Sequence, residues 1–136
     1  MAEGAATVLI PAYNEEKKIA ETVRAVQKIP GVVRIVVIDD GSHDQTAQRA
    51  EEAGALVLKT PKNLGKGGAL NLGLTKITGD YLLLLDADLG QTAREGRKLL
   101  EAVVKGQADL VIGRFPERKR KSGFGLVLWF ARRLIR

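Results

Sequence analysis

Strand-type and helix-type segments alternate along this chain, and its polar and glycine-rich clusters follow the strands rather than the helices. Residues 7–10 form a short β-branched, apolar run stopped by Pro11; residues 33–38, 56–58, 81–85 and 109–112 repeat the pattern. Between the first two runs, Asn14 is placed to cap a helix with Glu15 and Glu16 in its first turn. Ile19, Val23 and Val26 follow at helical spacing, and Pro30-Gly31 closes the segment. Ser42 with Gln45, and Thr92 with Glu95, have capping-box spacing. The first pair predicts a helix running to Ala53-Gly54, the second a helix whose apolar face is Leu99, Leu100, Val103 and Val104. Residues 62–73 are glycine-rich but carry Ala69, Leu70 and Leu72, so part of this passage is expected to be helical. Strands alternating with helices imply parallel βαβ units. The expected fold class is therefore α/β: an open, mostly parallel sheet with helices on both faces.

Composition narrows the chemistry. The 136 residues are enough for one domain at most. With no cysteine, a disulfide framework, a thiolate zinc site and a thiol nucleophile are all excluded. The single histidine, His43, excludes any site that needs two imidazoles and is expected to be a solvated loop residue. No apolar run approaches the roughly 20 residues of a membrane helix, and residues 1–6 lack the basic start of a secretory leader. A cytoplasmic protein is expected. The net charge of +6 is unevenly spread: residues 1–113 hold 14 Lys/Arg and 15 Asp/Glu (−1), while residues 114–136 hold 8 and 1 (+7). This divides the chain into an α/β domain at 1–113 and a basic, amphipathic segment at 114–136, expected to be helical. Nucleic acid is not an expected partner, because the basic excess is confined to one end and few aromatic residues accompany it.

In open α/β sheets ligands bind outside the carboxyl ends of the strands. The polar clusters fall there: Tyr13 and Asn14, residues 39–42, residues 63–68, and residues 86–88. The turn after the first strand contains no glycine, so a dinucleotide fingerprint is absent. Gly65-Lys66-Gly67 lacks the upstream glycine and the following Ser/Thr of a Walker loop. Asp86 and Asp88 flank Ala87 directly after the most apolar strand. In extended geometry their side chains share one side, suiting Mg2+ or Mn2+ shared with substrate phosphates; two turn aspartates are the plainer alternative. Asp39 is open to two roles, bonding a nucleobase or ribose, or shaping the turn into the next helix. Lys66 among its glycines can meet a diphosphate or stand solvated. Tyr13 can stack on a base or cover the sheet end.

Taken together and in this order, residues 10–16 (IPAYNEE), 37–42 (VIDDGS), 63–71 (NLGKGGALN) and 85–88 (LDAD) resemble the nucleotide-binding half of family 2 glycosyltransferases, which have the GT-A fold. The closest flavour is that of polyprenol-phosphate sugar transferases similar to dolichol-phosphate mannose synthase, and the resemblance covers about residues 6–115. It implies transfer of a sugar from a UDP- or GDP-linked donor with inversion at the anomeric carbon, assisted by Mg2+ or Mn2+. By the same resemblance Pro11, Ala12, Tyr13 and Glu15 line the base pocket and Asp39 bonds the base. Asp86 bonds the ribose or the metal, Asp88 is the main metal ligand, and Lys66 lies near the phosphates. Relatives often carry a glutamine two positions after the second aspartate; here Gly90 stands there, with Gln91 next.

The acceptor half is expected beyond Arg136, and with it any catalytic base for a hydroxyl acceptor. A polyprenyl phosphate needs no such base, being anionic near neutral pH. Arg118-Lys119-Arg120-Lys121, the apolar stretch with Phe124 and Trp129, and then Arg132 and Arg133 can hold a lipid phosphate or lie on an anionic membrane surface, making the protein peripheral on the cytoplasmic face. The alternative is a helix packed on the acceptor half. Two other functions compete: a donor-binding fragment without turnover, and a sugar nucleotidyltransferase. The second needs a glycine-rich, arginine-bearing loop after the first strand, which Pro11-Ala12-Tyr13-Asn14 does not provide.

Overall fold

The computed structural model describes residues 4–113 and 129–134. Its strands are β1 (Ala6–Ala12), β2 (Val32–Asp39), β3 (Leu56–Lys59), β4 (Tyr81–Leu84), β5 (Leu110–Gly113) and β6 (Trp129–Arg133). Its helices are α1 (Ile19–Gln27), α2 (Thr46–Ala53), α3 (Gly65–Leu74) and α4 (Gly96–Val104), with a 3-10 helix over Gly90–Glu95 leading into α4. The strands form one sheet in the order β3-β2-β1-β4-β6-β5. β1 pairs in parallel with both β2 and β4, and β2 with β3; β6 lies antiparallel between β4 and β5. The strand order therefore reverses between β1 and β4, and the crevice at their carboxyl ends is where this architecture places a ligand.

The expected α/β class holds, with helices on both faces. One face carries α1, α2 and α4 over Val8, Ile10, Val37, Leu83 and Leu85; the other carries α3 over Leu9, Val36, Ile38, Leu82 and Leu84. The alternation of these residues along β1 and β4 is the period-2 signature of strands covered on both sides. Each fully buried leucine or isoleucine contributes about 2 kcal/mol through its area removed from water.

Several local expectations are overturned. Pro11 lies inside β1 rather than ending it. Leu9 turns its carbonyl to β4, accepting the Leu85 N–H at 3.1 Å, so Pro11 faces the same way, beyond the last paired residue Leu84. Its missing donor costs no ladder bond. Neither capping box forms. Thr92 bonds the Leu89 carbonyl within the 3-10 helix, Glu95 pairs with Lys98, and Ser42 is engaged across a loop described below. The basic end segment is not helical over the residues described. Residues 129–133 are β6, inserted in the sheet with Leu84 opposite Phe130 and Gly113 opposite Trp129. Arg118-Lys119-Arg120-Lys121 and Phe124 lie outside the described residues.

Candidate functional site

The loops after β1 and β2 are locked together. Asn14 does not cap α1, which starts at Ile19; it adopts a left-handed conformation (φ 53°) that its short polar side chain tolerates. Its N–H donates to Ser42 Oγ at 2.8 Å and its Oδ1 accepts the His43 N–H at 2.9 Å. Glu15 N–H donates to Thr46 Oγ1, Glu16 N–H to Asp44 Oδ2, and Gln45 N–H to Glu16 Oε1. Asp44 Oδ1 also accepts from the backbone and hydroxyl of Thr46 at the start of α2. Burial pushes the Asp44 pKa up, but bonds from the Thr46 hydroxyl and N–H and the Glu16 N–H outweigh it and hold the carboxyl below its usual value. His43 is exposed, as expected.

This lock fixes the end of β2, where two adjacent aspartates differ in duty. Asp39 pairs in register with Ala12 at the end of β1; its Oδ1 accepts the Ser42 N–H at 3.1 Å. It borders a groove of about 720 Å³ shared with Ser42, Thr60, Lys62 and Asn63. Asp40, fully buried, faces the opposite way in function: Oδ1 accepts from Leu64 N–H at 2.8 Å and Thr60 Oγ1 at 2.9 Å, and Oδ2 accepts from Gly65 N–H at 2.8 Å. These amides open α3.

α3 is intrinsically a weak helix, since each interior glycine costs about 0.5–1 kcal/mol relative to alanine. The Asp40 carboxylate satisfies its first amides. At its other end Gly73 lies so close to the sheet that an added Cβ would stand 2.8 Å from Ile38 Cδ1. The first turn carries Lys66, whose Nζ meets Asp86 Oδ1 at 2.9 Å, both side chains largely buried. Around Lys66, Gly65 and Gly67 have open space where a side chain would stand.

After β4 the chain does not stay extended, so the same-side argument for Asp86 and Asp88 does not apply; residues 87 and 88 form a turn, with Asp86 buried and Asp88 half-buried. The turn is clamped by the buried Thr22 of α1, whose hydroxyl donates to the Ala87 carbonyl and accepts the Gly90 N–H, each at 2.8 Å. Gly90 has φ +57° and no room beside Glu21, while Gln91 borders a separate groove with Lys28, Ile29 and Pro30.

The structure thus brings Asp39, Lys66, Asp86 and Asp88 to one end of the sheet, with buried Pro11 and Ala12 and half-buried Tyr13 and Glu15 on the adjoining β1 end. Arg132 and Arg133 lie at the opposite end: they pair with Leu82 and Tyr81, where β4 begins. The roles of Thr22, Asp40 and Thr60 escaped the sequence reading, because the partners that define them, Ala87, Leu64 and Asp40, lie 20 or more residues away. Among the described residues no three acidic or imidazole side chains cluster, so the protein offers at most a sparse carboxylate set. Asp86 accepts the Lys66 ammonium, and a pair of carboxylates is a ligand set that Mg2+ or Mn2+ takes from a protein when substrate phosphates supply the rest.

Comparison with known proteins agrees with this fold. Over 106 residues the chain is 35% identical to Protein RfbJ of Shigella flexneri, covering 78% of this chain and 81% of that protein. It is 31% identical to the undecaprenyl-phosphate 4-deoxy-4-formamido-L-arabinose transferase of Edwardsiella ictaluri, covering 96% of this chain but 41% of the relative. Glucosyl-3-phosphoglycerate synthase of Mycobacterium tuberculosis, solved with Mn2+, UDP-glucose and phosphoglyceric acid, superposes with a TM-score of 0.71 and 29% identity, over 80% of this chain and 43% of that one. The chain thus spans less than half the length of the latter two. The family model described as glycosyl transferase family 2 matches residues 7–132, from within β1 to within β6, and this chain is a member of glycosyl transferase family 2.

Proposed function

We propose that this chain binds a nucleotide diphosphate sugar across the carboxyl ends of β1, β2 and β4 and serves its transfer, with inversion, to an acceptor. The observation that carries the reading is the convergence of Asp39, Lys66, Asp86 and Asp88 at one sheet end, with Lys66 already set against Asp86. Asp39, with Pro11, Ala12, Tyr13 and Glu15, holds a uracil or guanine base. Asp88 and Asp86 hold Mg2+ or Mn2+, and Lys66 meets the diphosphate. When bound, the divalent ion supplies positive charge against a leaving group whose negative charge grows as the glycosidic bond breaks. Inversion is a single displacement: the acceptor oxygen forms a bond to the anomeric carbon on the face opposite the departing diphosphate. The open space beside Gly65 and Gly67 admits phosphate oxygens close to backbone.

A polyprenyl phosphate is the proposed acceptor, supported by the printed name of the Edwardsiella relative. Gly113 and Trp129 pair at the carboxyl end of the sheet, so the chain leaves and re-enters the described structure on the same side as Asp86 and Asp88. Arg114 and Arg118-Lys119-Arg120-Lys121 fall between them in sequence and are the proposed lipid-phosphate and membrane-surface contacts; Arg132 and Arg133 are not, lying at the far end. Among the described residues no helix is long and apolar enough to cross a membrane. A second reading, a donor-binding part without turnover, is favoured by the chain covering 41% of the Edwardsiella transferase.

Incubating the 136-residue chain with UDP- and GDP-linked sugars and Mn2+, with and without undecaprenyl phosphate, separates the two. Release of nucleoside diphosphate from donors of one base, stimulated by the lipid phosphate, is the expected result. Binding of a donor without release selects the second reading.

A further inference from the structure

Asp39 and Asp40 are neighbours in sequence, yet only Asp39 borders the groove lined by Ser42, Thr60, Lys62 and Asn63. Asp40 is fully buried and spends both oxygens on the start of α3. Three donors converge on it: the Leu64 and Gly65 amides and the Thr60 hydroxyl. A carboxylate, with two acceptor atoms and no donor, matches that set; an amide of the same size would turn an NH2 toward one of these donors. Helix α3 begins at Gly65, and Lys66 is its second residue, two positions from the capped Leu64 amide. Lys66 in turn reaches Asp86 at 2.9 Å. The loop before α3 is also pressed on the Asp40 turn, for a Cβ on Gly41 would stand 2.8 Å from the Asn63 nitrogen.

We propose that Asp40 is a positioning residue: by accepting the Leu64 and Gly65 amides its buried carboxylate fixes the first turn of α3, and with it the ammonium of Lys66 that meets the donor's diphosphate. The inference rests on the donor-site reading above and deepens it. It ties the strand end that carries the base-binding Asp39 to the helix that carries the phosphate-binding lysine, so that the two parts of one nucleotide are held at a set separation by adjacent residues of β2 and the turn after it.

The test is a double-mutant cycle with Asp40→Asn and Lys66→Met in the full chain. Calorimetry would use UDP and GDP with Mn2+, and uridine and guanosine as phosphate-free probes. Each single variant is expected to weaken the preferred diphosphate about tenfold while changing binding of its nucleoside less than twofold. The double variant is expected to be no weaker than Lys66→Met alone, because Asp40 acts through Lys66. A merely structural role would lower nucleoside and diphosphate binding together. Thr60→Val, which removes one donor from Asp40 and preserves volume, is the second variant should Asp40→Asn not fold; its loss, about twofold, should vanish in the Lys66→Met background. Losses that multiply in the double variant, or a full-affinity Asp40→Asn, overturn this inference while leaving the donor site standing. If the wild type binds neither diphosphate, the donor-site reading falls and this inference falls with it.

Discussion

Lys66 Nζ stands 2.9 Å from Asp86 Oδ1, joining the first turn of a glycine-rich helix to a carboxylate two residues past the end of the central strand β4. Because both side chains are largely withdrawn from water, this pair is not a solvated surface contact but a charge-compensated unit. Lys66→Met removes the ammonium and leaves a buried carboxylate without that cation. Stability should fall by on the order of 3 kcal/mol, the usual cost of breaking a buried pair from one side. Millimolar Mn2+ should then raise the melting temperature of Lys66→Met more than that of the wild type, since a divalent ion can take over the vacated charge. Equal shifts in the two proteins would contradict the role given to Asp86.

The Asp88 turn depends on a hydroxyl from another element. Thr22 bonds the carbonyl of Ala87 and the amide of Gly90, one on each side of Asp88. Thr22→Val preserves the side-chain volume but leaves these buried groups without that partner, at a cost of about 1–3 kcal/mol. A urea unfolding midpoint checks this. Thr22→Ser, which keeps the hydroxyl, should recover most of the loss.

Asp44 links folding to acid. Its carboxyl titrates lower in the folded protein than its ordinary value of 3.8, so the folded state binds fewer protons than the unfolded one near that pH. The stability it contributes is complete well above 3.8 and is lost as the pH falls through the lower folded value. Asp44→Asn removes the acceptor facing the Glu16 amide and should cost about 1 kcal/mol at neutral pH. The gap between wild type and variant should narrow below pH 3.8. Thermal unfolding at several pH values measures it, and a gap that widens in acid would contradict the assignment.

What the sequence disclosed and what it hid divide along a physical line. Strands β1, β2 and β4 were legible because burial on both faces makes them continuous apolar runs, and the polar clusters at their ends are contiguous in sequence. The functions of individual polar residues were not. Asn14 and Ser42 have the chemistry of helix caps, yet each finds its partner on the other's loop, 28 residues away, and a local pattern cannot see that competition. Asp40 sits inside a motif quoted for its neighbour, and its role depends on amides 24 and 25 residues later. Strand β6 was hidden because Trp129 to Arg133 is a short apolar-to-basic run with no strand alternation of its own. Its place between β4 and β5 is set by their exposed edges rather than by its composition.

The claim on which all the rest depends is that the carboxyl ends of β1, β2 and β4 form a metal-dependent nucleotide site. Calorimetric titration of UDP and GDP, each with and without Mn2+, into wild type and Asp88→Ala tests it most directly. The account predicts binding of one of the two nucleotides, strengthened at least tenfold by Mn2+ in the wild type, with that gain absent in Asp88→Ala while the variant stays folded. Binding of neither nucleotide to folded wild type, or a Mn2+ gain that survives the loss of Asp88, would contradict it.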